Sequence, residues 1–417
     1  MTTGKLRETD DSKEILRLFA LVLTVEIIFF VKRSMDNLFG TILLVAVCVV
    51  YYFVMLKIVA RNPQFILSVL KGILFYICVF GINYLLFANL RSHYVDNLNP
   101  LLLNLVIYVP CAVLLSRVNC FDELIPMLKP YAYFGLASLF FTLVTSTQLQ
   151  ISDEVSYQGF GLRVVICSTI LFLNWLKTRN SIEFVIFLVS SVMILFGGRQ
   201  TLLTFFAIVI FFFSKEMLLN KRTSTAEKAS RIVALVALAA VFFVFGQTIV
   251  QMSASVMKSM GINSRNIDKL VSGEVLDGSN RDFIYDHSIS LIKENGISVS
   301  GFFSDRQQLR YYRSNIAYAH NIFYEILLDF GLLLGVLISA YFIFVLVRGL
   351  LKGSSTKRDV VLWWTLIVMI RLWVSSSFLV DCNIILLLGL LFNKQTEAAS
   401  ETDENRELDC ELKIIAN

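Results

Sequence analysis

The sequence predicts an all-α polytopic membrane protein with about twelve transmembrane helices and one large extracellular loop. Of the 417 residues, 56% are hydrophobic and only 17% charged, with a mean hydropathy of +0.70. A soluble domain of this length needs far more polar surface. Apolar runs of about 20 residues, enough to cross a bilayer as a helix, recur along the chain, without the short alternating strands of a barrel. One long polar stretch, residues 251–319, interrupts these runs.

The predicted spans are 14–31, 38–59, 65–90, 100–117, 131–149, 160–176, 181–197, 200–217, 231–250, 320–347, 359–377 and 379–393. The last two also read as one broken or re-entrant unit. The polar N-terminus lacks the pattern of a cleavable signal, so the first span directs insertion. Residues 121–130, short and proline-flanked, read as an interfacial link. Four regions result: helices one to nine in 1–250, the loop 251–319 with an amphipathic helix, helices ten to twelve in 320–393, and a cytoplasmic acidic tail, 394–417.

Orientation follows from lysine and arginine in the short connections. Lys57 and Arg61, Lys177 and Arg179, the cluster from Lys215 to Arg231, and Arg348 to Arg358 fall on one side with Lys5, Arg7, Lys13 and Arg17. That side is expected to be cytoplasmic, with Lys32 and Arg33 the exception. Both termini then lie in the cytoplasm and 251–319 faces outward. The net charge of +5 reflects this asymmetry and not nucleic-acid binding. Cys48, Cys78, Cys111 and Cys167 fall in apolar runs, and with no CxxC pair or His/Cys cluster neither a disulfide framework nor a zinc site is expected.

On this map four distant basic residues meet one face. Arg163 opens span six, Arg199 opens span eight in Gly197-Gly198-Arg199-Gln200, Arg281 lies in the loop, and His320 opens span ten. Ionisable groups near the bilayer are costly and tend to line cavities or bind ligands. Arg163 and Arg199 also read as snorkelling anchors. The two glycines allow close approach of either a ligand or a neighbouring helix. Ser279 and Asp282 resemble a capping box ahead of an amphipathic helix of about four turns. Its Arg281 sits unfavourably at the positive end of the helix dipole, which points to an anionic partner or a solvated face. His287 reads as an ordinary packing or surface residue.

His320 stands where the chain meets the membrane, flanked by Tyr318 and Asn321; Asn321, Tyr324, Glu325 and Leu328 share a helix face. Imidazole exchanges a proton near neutral pH. Deeper, Asp329 and Arg371 are expected to form an intramembrane ion pair or a shared network, with a charge-lined transport path the rival reading. Gly331 and Gly335 form a small-xxx-small pair that favours close helix packing.

Arginines and a histidine without a metal-ligand cluster suit a phosphorylated ligand. At a membrane face that ligand is a lipid-linked phosphate or pyrophosphate, whose departure arginines stabilise without metal. The ordered set Arg163, Gly197-Gly198-Arg199-Gln200, Arg281, and Ala319-His320-Asn321 ahead of Glu325–Gly335 resembles the O-antigen ligase/polymerase superfamily. In type it is most similar to the Wzy-like polymerases of capsular and exopolysaccharide pathways. Residues 281–301 resemble the family's arginine-to-glycine segment of the same loop. The spacing of Leu327, Gly331 and Gly335 departs by one residue from the family's glycine pattern.

The resemblance implies a metal-independent membrane glycosyltransferase of GT-C-like architecture in a bacterial plasma membrane. It would join undecaprenyl-diphosphate-linked repeat units into O-antigen-type or capsular polysaccharide at the outer face. His320 matches the candidate catalytic base; Arg199, Arg281 and, less closely, Arg163 match pyrophosphate-binding arginines. Tyr318, Asn321 and Tyr324 become acceptor or loop contacts. The aromatic and basic stretch around Tyr311, Tyr312, Arg306, Arg310 and Arg313 reads as a sugar contact or a solvated patch. Expected partners are lipid-linked glycan donor and acceptor, membrane lipids and a chain-length regulator, with no cofactor and no nucleic acid. A sister ligase, moving glycan onto a lipid or protein, and a polysaccharide flippase are the alternatives. Paired halves, common in transporters, are absent from the sequence.

Overall fold

The structure is a computed structural model that describes residues 2–35, 38–145, 154–219 and 281–393, except 315, 317 and 375, together with 251 and 255. The predicted ninth span, the Ser279 cap, most of the loop before Arg281 and the acidic tail lie outside the described residues. Among the described residues all regular structure is helical. In chain order the α-helices are α1 (Thr2–Met35), α2 (Leu38–Arg61), α3 (Pro63–Leu86), α4 (Arg91–Asp96), α5 (Leu98–Leu103), α6 (Val109–Leu115), α7 (Leu124–Thr145), α8 (Glu154–Thr178), α9 (Ser181–Met193), α10 (Arg199–Leu219), α11 (Arg281–Asn295), α12 (Ser304–Tyr312), α13 (Ile322–Leu351), α14 (Ser355–Val374) and α15 (Cys382–Leu391). A π-helical turn, Asn104–Tyr108, joins α5 to α6.

Seven helical stretches among the described residues are long and apolar enough to cross a membrane: Gly40–Arg61, Pro63–Leu86, Leu98–Leu115, Leu124–Val144, Gln158–Thr178, Gln200–Met217 and Ile322–Leu351. They coincide with seven of the predicted spans and make the chain a multi-pass membrane protein. The first and eleventh predicted spans fall on α1 and α14, which carry Glu14, Arg17 and Glu26, and Arg358, Asp359 and Arg371. The seventh and twelfth match shorter apolar helices, Ser181–Phe196 and Cys382–Leu391. A helix of ten residues such as α15 rises about 15 Å, half a hydrocarbon core. The expected link at 121–130 is instead largely helix. Pro126 occupies the first turn of α7, where its missing N–H is not needed, and the helix continues through Pro130.

The chain divides into two compact units. The second, Thr24–Ala46 with Leu128–Ser279, has α8 at its centre, lined by buried Leu162, Val164, Val165, Ile166 and Ile170. Buried Glu183 of α9 meets Lys129 at 2.6 Å and accepts a hydrogen bond from Asn174, so its charge is paired where it would otherwise be costly.

The first unit, Met1–Leu23 with Val47–Met127 and Asn280–Asn417, contains α3 and α13, whose apolar side chains stay largely exposed. Phe75 is 72% exposed, as suits a surface solvated by lipid. Asn321 caps α13, its side chain accepting from the amides of Phe323 and Tyr324. The helix then breaks at Gly331 (φ 71°, ψ 172°). That conformation is essentially confined to glycine. The break corrects the small-xxx-small reading: Gly331 does not seat a second helix but the backbone of 297–298, since an added Cβ would lie 2.5 Å from the Ser298 carbonyl oxygen. Backbone groups around the break are satisfied by the incoming loop. Ser300 and Gly301 donate to the Asp329 carbonyl at 3.0 and 2.9 Å, and Leu332 donates to the Gly296 carbonyl at 2.7 Å.

Gly331→Ala is therefore expected to lower the stability of the purified protein by at least about 1–3 kcal/mol, the strain of that backbone region in a residue with a Cβ. Gly81, where an added Cβ would meet nothing within 4 Å, is the matched control. Equal thermal unfolding midpoints for Gly331→Ala and Gly81→Ala in detergent would contradict the assignment.

Candidate active site

In the first unit four buried ionisable side chains lie where α12 meets the N-terminal half of α13. Asp305, Arg306, Glu325 and Asp329 are all buried. Phe303, just ahead of α12, has a left-handed φ of 70° and offers no side-chain cap. The cap comes from another helix. Asp329 Oδ1 accepts from the Ser304 amide at 3.1 Å, the Ser304 hydroxyl at 3.0 Å and the Asp305 amide at 3.3 Å. A carboxylate there satisfies orphan amides and suits the helix dipole.

Arg306 donates Nη1 to Asn97 at 2.9 Å and Nη2 to the Ser377 hydroxyl at 3.2 Å, and lies over the Phe303 ring at 4.6 Å. Glu325 accepts from the Ser377 hydroxyl and, at 3.1 Å, from the Phe378 amide. Asp305 Oδ2 accepts from the Ala319 amide at 2.9 Å. These contacts explain how a membrane protein keeps four ionisable side chains buried together. They also correct two expectations. Asp329 and Arg371 each take another partner: Asp329 caps α12, and Arg371 pairs with Asp381 at 3.0 Å. Arg306 is interior and not part of a solvated patch, whereas Arg310, Tyr311, Tyr312 and Arg313 are exposed.

His320 sits between this network and α13. Its φ of 55° is left-handed, unusual for a residue with a side chain. Its ring stacks against Tyr318 at 4.2 Å, and its carbonyl accepts from the Tyr285 hydroxyl at 3.5 Å. Tyr285 lies edge-on to Tyr324 at 5.3 Å. The amphipathic helix predicted from Arg281 is α11, which buries Ile284, Ser288, Leu291 and Ile292. The apolar members of that set form one cluster with Leu309, Ile316, Ala319 and Leu328. The imidazole Nδ1 is buried without a hydrogen-bond partner among the described residues. Burial, reinforced by the nearby Arg281 charge, pulls the His320 pKa down to about 4. His320 is therefore neutral at physiological pH, with a nitrogen lone pair to offer. His287 packs on Phe283 and Tyr312, the bland role expected of it.

Arg281 and His320 belong to the first unit; Arg163 and Arg199 belong to the second. Arg163 donates Nε to the Glu26 carbonyl at 3.0 Å and Nη1 to the Gly159 carbonyl at 2.8 Å, and lies over Phe30 at 5.1 Å. Those contacts fit the anchoring reading. Arg199 is the first residue of α10. Gly197, two residues earlier, serves packing, because a Cβ on Gly161 would meet the Gly197 Cα at 2.7 Å.

The loop that closes on a broken span and delivers a half-buried histidine is the region that a comparison with known families picks out. Residues 164–339 match the O-antigen ligase family. The O-antigen ligase domain thus bears out the resemblance to the ligase/polymerase superfamily. It spans Arg199, Arg281, His320, Asp329 and Gly331, and it begins one residue past Arg163. The match covers less than half of the chain and supports membrane glycan transfer of the O-antigen ligase or polymerase type. No curated protein and no solved structure matches the chain significantly.

In the O-antigen ligase domain, Arg281→Gln removes the positive charge that helps hold His320 neutral. The His320 pKa then rises toward the ordinary histidine value, and the acid limb of the kcat/KM profile moves to higher pH. An unmoved limb, whatever the change in rate, would show that Arg281 does not act on the imidazole.

Proposed function

We propose that the protein is a polymerase. In this reading it joins undecaprenyl-diphosphate-linked oligosaccharide repeat units into capsular or O-antigen-type polysaccharide at the outer face of the bacterial plasma membrane, with both termini in the cytoplasm. The observation that supports it most is the neutral His320 held beside Arg281 where the chain enters α13. A hydroxyl of the acceptor sugar attacks the anomeric carbon of the donor glycan. His320 takes the hydroxyl proton, the new glycosidic bond forms, and the bond to the diphosphate breaks. The leaving group departs as undecaprenyl diphosphate, its charge stabilised by Arg281. Cationic side chains thereby fill the part of a metal ion, and the reaction is metal-independent.

A pKa near 4 makes His320 a weak base in the empty protein. A bound diphosphate offsets the Arg281 charge and raises the imidazole's proton affinity when the substrate is in place. Tyr318, whose ring lies 4.2 Å from the imidazole, Asn321, which caps α13, and Tyr324 in its first turn are the acceptor contacts in this reading. Arg199 keeps its assignment as a phosphate ligand on the resemblance alone. A chain-length regulator is the expected protein partner.

The family description, O-antigen ligase, favours a second reading in which the glycan passes to a different acceptor. Purified protein supplied only with lipid-linked repeat units, without an ion gradient, separates the readings. A polymerase yields a ladder of longer lipid-linked glycans. A ligase yields none until a second acceptor is added, and a transporter yields none in either case. His320→Ala is expected to lower ladder formation by about 10²–10⁴-fold, the usual worth of a general base, at unchanged membrane abundance. A wild-type ladder from that variant would remove His320 from the chemistry.

A further inference from the structure

Asp305 is used by no step of the reaction above, yet it is fully buried and makes one directed contact toward His320. Its Oδ2 accepts the Ala319 amide hydrogen at 2.9 Å, the peptide group immediately before the left-handed histidine. Its Oδ1 has no hydrogen-bond partner among the described residues. Asp305 is itself fixed, because its own amide and that of Ser304 end on Asp329. A non-glycine residue at positive φ persists only where its surroundings determine it. Two flanking groups do so here. The Asn321 side chain caps α13 on one side of His320, and the Asp305 carboxylate holds Ala319 on the other. Ala319 is fully buried in the cluster with Leu309 and Leu328, so its amide has no access to water once Asp305 is removed.

We propose that Asp305 is a positioning residue for His320: by accepting the Ala319 amide it maintains the left-handed turn that aims the imidazole. This rests on the assignment of His320 as the base. Asp305 touches neither substrate nor reacting atoms. Losing its contact lets the turn relax toward an ordinary backbone conformation, and misplacement of a reacting group by about 1 Å costs about 10²-fold in rate.

The test compares Asp305→Ala, Asp305→Asn and His320→Ala with the wild type. Turnover is measured at saturating lipid-linked repeat unit, together with hydrogen–deuterium exchange of the peptide containing Ala319. Asparagine retains an oxygen for the Ala319 amide while removing the charge that faces Arg306 and Arg310. Asp305→Ala is expected to lower kcat about 10²-fold with KM little changed, and to speed exchange at Ala319. Asp305→Asn is expected to restore most of the turnover and the slow exchange. Wild-type turnover in Asp305→Ala would overturn the proposal. So would an asparagine variant that keeps Ala319 protected but is inactive. Should the alanine variant fail to accumulate, the asparagine variant alone decides between those outcomes. If His320→Ala keeps wild-type turnover, it is the role of His320 that fails, while the exchange data still report whether Asp305 holds the turn.

Discussion

The first unit turns on one side chain and the backbone beside it: Asp329, just ahead of a glycine that breaks its helix. A helix inside a bilayer keeps its backbone groups to itself, and irregular backbone at that depth survives only when protein covers it. Gly331 opens such a gap, and the loop ahead of α12 fills it. The Asp329 carbonyl takes the amides of Ser300 and Gly301, and its carboxylate takes those of Ser304 and Asp305. One residue of a spanning helix thus anchors five loop donors, counting the Ser304 hydroxyl. Asp305, held at that junction, in turn accepts the Ala319 amide next to His320.

The anchoring explains a chemical environment that is otherwise improbable. A histidine at a membrane surface would ordinarily be hydrated and partly protonated near neutral pH. Here α11 and α12 pack with the chain just ahead of it, where Ile284, Leu291, Leu309 and Ala319 form one buried cluster. Burial and Arg281 both disfavour the cation. The left-handed backbone at His320 is a local cost of order 1–3 kcal/mol that its surroundings must offset. It is the kind of strain that collects at reactive positions, and it is held by contacts remote in sequence.

Much of this was legible in the residues, and the failures have physical causes. Apolar length alone located seven crossing stretches, because lipid demands about 20 apolar residues in succession. It located the helices α14 and α15, where charge and brevity blur the signal for a crossing, and it failed at Pro126, where a proline opens a helix without breaking it. The amphipathic repeat from Arg281 gave α11 and its length of about four turns. His320 was visible as the rare titratable group at a polarity boundary. Asp305 was not. An aspartate in a polar loop, shortly ahead of Tyr311 and Tyr312, looks solvated, and only the trans cap from Asp329 makes it interior. The same blindness produced the false pairing of Asp329 with Arg371. Opposite charges at similar depth invite an ion pair, but Asp329 is held by amides and Arg371 by Asp381. The apolar Phe302-Phe303 immediately before Ser304-Asp305 was the available hint that this helix starts inside the protein.

The half-buried position of His320, with its Nδ1 out of reach of solvent and Arg281 nearby, favours the uncharged imidazole. Nitrogen-15 NMR of histidine-labelled protein in micelles reads this out, since the chain has only three histidines and single substitutions assign each signal. The His320 signal should remain that of a neutral ring throughout physiological pH and titrate only near pH 4. A His320 signal that protonates around the ordinary histidine value of about 6.5 would mean that the ring is solvated and that the loop does not clamp it.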